Sequence, residues 1–169
     1  SLPAELGTLR EADRVVAASV AADVCLDRGI AVDMMVTDLD KNPETAVELT
    51  RAGTPVAIHA HGDNRPLLED HVPSLDPTWT IPTTQAAPEG PVVNYGGFTD
   101  GDRAAFIADH LGAERLVFAG WDFDDPSVDA SKARKLEWAA RLLRWLEQRR
   151  ETTFALLDDR RGRLSLSWL

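Results

Sequence analysis

Four stretches place acidic side chains directly after short apolar runs. They are Thr37-Asp38-Leu39-Asp40, His59-Ala60-His61-Gly62-Asp63-Asn64, Thr99-Asp100-Gly101-Asp102-Arg103 and Gly120-Trp121-Asp122-Phe123-Asp124-Asp125. Carboxylates gathered in one place repel each other unless a cation sits among them. Mg2+ suits such a set, because it takes a few carboxylates, retains water and accepts phosphate oxygens. Lys132 and Lys135 stand three apart at the start of the longest helical pattern. The helix dipole disfavours a cation there by up to about 1 kcal/mol each, and a bound phosphate reverses that sign. Acids suited to Mg2+ opposite lysines suited to phosphate point to group transfer from a nucleoside triphosphate. The chain has no Gly-x-x-x-x-Gly-Lys-Ser/Thr loop and no protein-kinase motif set.

Each piece has a plainer reading. Asp-x-Asp after a strand is common, and the glycines beside Asp63 and Asp102 permit tight turns. Thr99 with Asp102 fits a capping box. His59 and His61 point the same way from an extended backbone. No cysteine or obvious third ligand completes a zinc set, so hydrogen bonding in a polar pocket is the better reading of the pair. Asp122, Asp124 and Asp125 also suit a salt-adapted surface or a helix entry. Lys132 and Lys135 also suit a solvated face beside Asp129 and Glu137.

The elements that must position these residues follow from the apolar pattern. Strands are expected over residues 14–18, 34–37, 55–59 and 116–120, with weaker ones at 79–81 and 92–95. The runs are continuous and not alternating, as strands buried on both faces require. Helices are expected over residues 21–28, 43–52, 100–111 and 130–150, the first three ending at Gly29, Gly53 and Gly112. Residues 72–91 are proline-rich and read as a long loop with one strand inside. Residues 152–157 and 163–168 flank an Asp-Asp-Arg-Arg-Gly turn and predict a hairpin. The fold class is α/β: an open, mostly parallel sheet with helices on both faces and a C-terminal β-hairpin. In such sheets ligands bind beyond the carboxyl ends of the strands, where the four acidic stretches fall.

The chain of 169 residues suits one domain. Acids outnumber bases 28 to 18, for a net charge of −10. That excludes a general nucleic-acid binder, which needs basic surface, and an anionic-membrane surface protein. The bases are almost all Arg, with only Lys41, Lys132 and Lys135 as lysines; a halophilic source or a GC-rich genome is expected. The single cysteine, Cys25, excludes an internal disulfide and fits a reducing cytoplasm. No run approaches membrane-span length, and no signal peptide is visible.

Taken together, several stretches resemble a known family. They are Val36-Thr37-Asp38-Leu39-Asp40, His59-Ala60-His61-Gly62-Asp63-Asn64, Thr83-Thr84-Gln85, Asn94-Tyr95-Gly96-Gly97-Phe98-Thr99-Asp100-Gly101-Asp102-Arg103-Ala104 and Ala119-Gly120-Trp121-Asp122-Phe123. They occur in the order seen in the archaeal 6-hydroxymethyl-7,8-dihydropterin diphosphokinases of the MptE type, which resemble thiamine diphosphokinases in their catalytic domain. The resemblance covers about residues 1–150. It implies a single catalytic domain that transfers diphosphate from ATP to a reduced pterin with Mg2+, releasing AMP, in folate or methanopterin synthesis. A homodimer is compatible with it.

By similarity to the thiamine enzymes, Asp38, Asp40 and Asp63 would be the metal-associated acids, with Asp100 and Asp102 nearby. Lys132, Lys135 and Arg103 would neutralise charge on the phosphate oxygens. Thr84, Gln85, Gly96 and Gly97 fall in motifs that would line the nucleotide and pterin pocket. Asp122 is a candidate base, and Trp121 or Tyr95 could stack on the pterin. Three departures stand out. Of the family's glycine-rich strand-to-loop segment ending in Gly-Pro-Ser-Leu, only Ser1-Leu2 could be the tail, so an upstream strand and loop are expected to be missing. Ala18-Ser19-Val20-Ala21 stands where Ala-Asp-Gly-Ala is frequent, and Lys41 replaces a glycine after the Asp-Leu-Asp. Two alternatives stay open: thiamine diphosphokinase, and a non-catalytic nucleotide or pterin-binding module.

Overall fold

The computed structural model describes residues 2–8 and 13–167. Four strands form one all-parallel sheet in the order β1-β2-β3-β4: Val16–Ala18, Met34–Thr37, Val56–Ala60 and Thr80–Thr84. Helices α1 (Leu2–Glu5), α2 (Ala21–Leu26), α3 (Pro43–Arg51), α4 (Arg65–His71), α5 (Asp100–His110) and α6 (Ala130–Arg149) surround it. The fully buried Met34–Thr37 strand carries apolar residues on both faces, as its continuous run requires.

Alternate residues of each strand feed two cores. Ala17, Met35, Val56 and Ile58 pack against Ala22 and Cys25 of α2 and Ala46 and Leu49 of α3. Met34, Val36 and Ala57 pack against Ala104 and Ile107 of α5 on the opposite face. A third cluster joins Phe106 of α5 to Leu143 and Leu146 of α6 and to Phe154 and Leu157 beyond it. The order is therefore connecting helices, sheet, α5, then α6. Among the described residues no helix is long and apolar enough to cross a membrane.

Three expectations need correction. Residues 116–120 form no strand: the nearest sheet edge, that of β1, stands across a cavity from them, so among the described residues they have no neighbouring strand to pair with. The stretch 92–95 is reduced to a single bridge between Thr83 and Val93. The described part of the expected hairpin folds instead as two short 3-10 turns, Ala155–Leu157 and Arg161–Arg163. Its last residue, Trp168, lies outside the described residues, as does Ser1. The cause is the buried Glu147, which accepts from the Phe154 N–H and pairs with Arg161 at 2.9 Å. These bonds fold the tail back onto α6. Helix α4 carries no clear sequence signal beyond Pro66 in its first turn, a position where proline is tolerated.

Candidate active site

The acids converge where the sheet's carboxyl edge meets the start of α5. Asp38 follows β2, and its carbonyl is held by the side-chain amide of Asn64 at 3.0 Å. Leu39 takes a left-handed backbone, φ 67°, and buries its side chain in the core. Thr37 Oγ1 accepts the Leu39 N–H at 3.0 Å and supports that turn. The turn lets Asp38 Oδ1 accept the Asp40 N–H at 3.2 Å and sets the two carboxyls close enough to perturb each other. His61 Nε2 lies 3.4 Å from Asp38 Oδ2.

The electrostatics follow from this crowding. Burial opposes ionisation of Asp38, but hydrogen bonds from Asp40 and the charge of His61 outweigh it and lower its pKa. Burial, then the neighbouring Asp38, raises that of Asp40, with Lys41 opposing. Asp100, at the first position of α5, is pushed up to about 7 by burial and by the charges of Asp38 and Asp40, with Arg103 and Lys132 opposing. Burial, with Arg103 and His61, lowers His59 to about 4, so its ring is neutral at neutral pH.

Two groups inside the site keep unused hydrogen-bonding atoms. Arg103 is 1% exposed, and its Nη1 donates to the Gly96 carbonyl at 3.1 Å. Its Nε and Nη2, and Nε2 of His59, are buried without a protein partner. Buried polar atoms are normally satisfied, so these are the site's unmet hydrogen-bonding groups. Among the described residues no three His, Cys, Asp or Glu side chains converge to form a metal cage. The adjacent pair Asp38 and Asp40 is instead the kind of donor set that Mg2+ shares with water and substrate phosphate, so the residues fit that ion.

A family model described as 6-hydroxymethylpterin diphosphokinase MptE-like matches residues 1–127. The chain belongs to this family. It is 41% identical over 165 residues to the 6-hydroxymethyl-7,8-dihydropterin pyrophosphokinase of Methanothermobacter thermautotrophicus, covering 88% of this chain and 70% of that relative. It is 33% identical over 167 residues to the protein of the same name in Methanocaldococcus jannaschii, covering 89% and 69%. It is 38% identical over 146 residues to that of Pyrococcus furiosus, covering 78% and 61%.

The remaining expected residues fall into three groups. Lys132 is exposed in the first turn of α6, yet its charge reaches Asp100. Lys135 acts on Asp129, whose carboxylate caps α6 by accepting the Lys132 N–H at 2.8 Å. Gly97, φ 88°, lets the loop cross α5 closely: a Cβ there would stand 2.5 Å from the Arg103 Cα. Gly96 carries the carbonyl that holds Arg103. Gln85 lies against His59, and Thr84 ends β4.

Others serve the frame or stand apart. Asp102 is fully buried, and its two oxygens accept the N–H groups of Phe98 (2.6 Å) and Thr99 (2.8 Å) in the capping box. Asp63 is exposed in the turn before α4, and Asp122 is exposed with its Oδ1 accepting the Asp124 N–H. Trp121 covers Gly101, and the Tyr95 ring packs at a tilt against His110. Asn64 has no role assigned to it by the sequence motifs. Yet this buried side chain also donates to the His59 carbonyl at 2.7 Å and accepts the His61 N–H. The signal was an amide two residues beyond a glycine, between the β3 run and a proline.

Proposed function

We propose that this chain transfers diphosphate from ATP to the hydroxymethyl group of 6-hydroxymethyl-7,8-dihydropterin, with Mg2+ and release of AMP, in folate or methanopterin synthesis. The observation that carries the reading is the Asp38–Asp40 pair beside Asp100, with Lys132 across from it, in a chain of the MptE-like family. The names of the three relatives support the acceptor.

Asp38 and Asp40 would hold Mg2+, which when bound neutralises phosphate charge and draws ATP onto an acidic surface. Lys132 would meet phosphate oxygens from the α6 side, with Lys135 as a weaker outer charge. The pterin hydroxyl oxygen attacks the β-phosphorus, and the bond from that phosphorus to the oxygen bridging toward the α-phosphorus breaks. Asp100 would take the hydroxyl proton on a carboxylate oxygen, because a base poised near neutral pH is suited to that work. It is better enclosed than Asp122. The free Nε and Nη2 of Arg103 and the neutral His59 would receive polar edges of the substrates. Positioning and fixed charge carry most of the rate in such transfers.

The test is incubation with ATP, Mg2+ and 6-hydroxymethyl-7,8-dihydropterin, with mass-spectrometric detection of the pterin diphosphate and AMP. Thiamine in place of the pterin should yield no product. ATP binding without AMP release would overturn the reading in favour of a binding module.

A further inference from the structure

We propose that His59 and Arg103 read the lactam edge of the pterin, with Nε and Nη2 of Arg103 donating to O4 and N5, Nε2 of His59 accepting the N3–H, and Thr83 holding His59 in the tautomer this requires. The inference rests on the pterin acceptor proposed above.

The placement follows from the register. On β3, Val56 and Ile58 face the core with α2 and α3, and Ala57 faces α5. Strand alternation puts His59 on the α5 side as well. Thr83 is its partner on β4. Arg103 lies near the start of α5, and its charge acts on His59. The three therefore gather between the carboxyl ends of β3 and β4 and the start of α5. His59 also stacks on His61, with ring centres 5.9 Å apart, and His61 in turn reaches Asp38. The group thus stands next to the acids.

Hydrogen bonding around His59 assigns its two nitrogens. The Thr83 hydroxyl donates to the Ile58 carbonyl at 3.1 Å. Its one proton is then used, so toward His59 Nδ1, 3.3 Å away, Thr83 Oγ1 can only accept. Nδ1 carries the ring proton, and Nε2 keeps a bare lone pair. Burial, then the Arg103 charge, lowers the ring to about 4 and keeps it neutral. His59 is 3% exposed, and its Nε2 has no partner among the described residues. The Gln85 side chain lies beside the ring and stops short of a bond to Nε2.

Arg103 supplies the complement. Its Nη1 is taken by the Gly96 carbonyl. Nε and Nη2 share one side of the planar guanidinium, and both are buried without a partner among the described residues. Such a fork matches two adjacent acceptors in one plane, as Arg matches O6 and N7 of guanine. Its charge already faces those of Asp102 and Asp100, so little is left for a phosphate. A phosphate also offers acceptors only, and would set an oxygen against the lone pair of His59. Adenine and the aminopyrimidine of thiamine carry an amine where the fork needs a second acceptor. In a 7,8-dihydropterin, O4 stands between N5, an acceptor, and N3–H, a donor. That edge satisfies the fork and His59 at once.

The test uses the whole chain with Mg2+ and α,β-methylene-ATP, which cannot be cleaved at the reacting bond. Long-range 1H–15N NMR should show His59 protonated on Nδ1 and bare on Nε2. The Nε2 resonance should move upfield when 6-hydroxymethyl-7,8-dihydropterin is added. By calorimetry, the N3-methyl derivative of that pterin should bind about tenfold or more weakly. These two arms need no variant. Arg103→Lys should weaken the pterin by a similar factor and leave nucleotide affinity unchanged. Thr83→Val should mix the tautomers and raise the KM for the pterin but not for ATP, and Thr83→Ser should restore both. An Nε2–H tautomer in the parent protein or equal binding of the N3-methyl derivative overturns the proposal. So does loss of nucleotide affinity instead of pterin affinity in Arg103→Lys, which would return Arg103 to phosphate. If pterin diphosphate still forms from ATP in the parent protein, those results leave the proposed reaction standing; no pterin binding and no product removes both.

Discussion

The side chain of Asn64 ties the loop after β3 to the carbonyl of Asp38 at the end of β2, 3.0 Å away. Three hydrogen bonds of this one buried amide align two strand ends at the place where the acids gather. Asn64→Ala should cost about 2–4 kcal/mol in urea unfolding, since it strands buried backbone groups. A loss under half of that would show that the two strand ends hold their alignment without it.

Asp38→Asn and Asp40→Asn should each lower turnover on the order of 100-fold or more while leaving stability nearly unchanged. Asp102→Asn should do the reverse, costing about 1–2 kcal/mol through its cap with a smaller effect on rate. Steady-state kinetics and thermal melts on the three variants separate the roles. Normal turnover in Asp38→Asn would remove the assignment of the pair to the metal.

Gly97→Ala should destabilise by about 1–3 kcal/mol, because the new methyl meets α5 backbone and φ is 88°. Gly62→Ala offers the comparison: its φ is 87° but nothing lies within 4 Å, so only the backbone strain remains and the loss should be smaller. Equal losses in chemical denaturation would mean that the approach to Arg103 does not matter.

His59 and Asp100 should give opposite pH slopes. Folding moves Asp100 from 3.8 to about 7, so the folded state binds more protons in that window and stability falls as pH rises. Folding moves His59 from 6.5 to about 4, so the unfolded state binds more protons there and stability rises with pH. The two effects offset each other in the parent protein. His59→Gln should expose a decline in stability from pH 4 to 7, and Asp100→Asn an increase from pH 4 to 6.5. Urea midpoints across that range, without Mg2+, decide the matter; parallel curves would refute the assignment.

Lys132→Ala should raise the KM for ATP several-fold more than Lys135→Ala. Lys132 is the one whose charge reaches Asp100, whereas Lys135 acts on the capping Asp129. Equal effects would return both lysines to the solvated face.

By itself the sequence determined the first three strands, the helices that end in glycine and the delivery of acids to one sheet edge. Continuous apolar runs and caps are local signals, and parallel topology then decides which strand ends are shared. Only the tertiary structure decided which acids lie close enough to perturb one another. Asp38, Asp40 and Asp100 share one field, Asp102 is absorbed by the start of α5, and Asp63 and Asp122 remain in water. Spacing cannot tell a carboxylate consumed by backbone N–H groups from one left to bind a ligand. The same limit explains residues 116–120: their composition is that of a strand, but a strand exists only where a second edge lies within hydrogen-bonding distance.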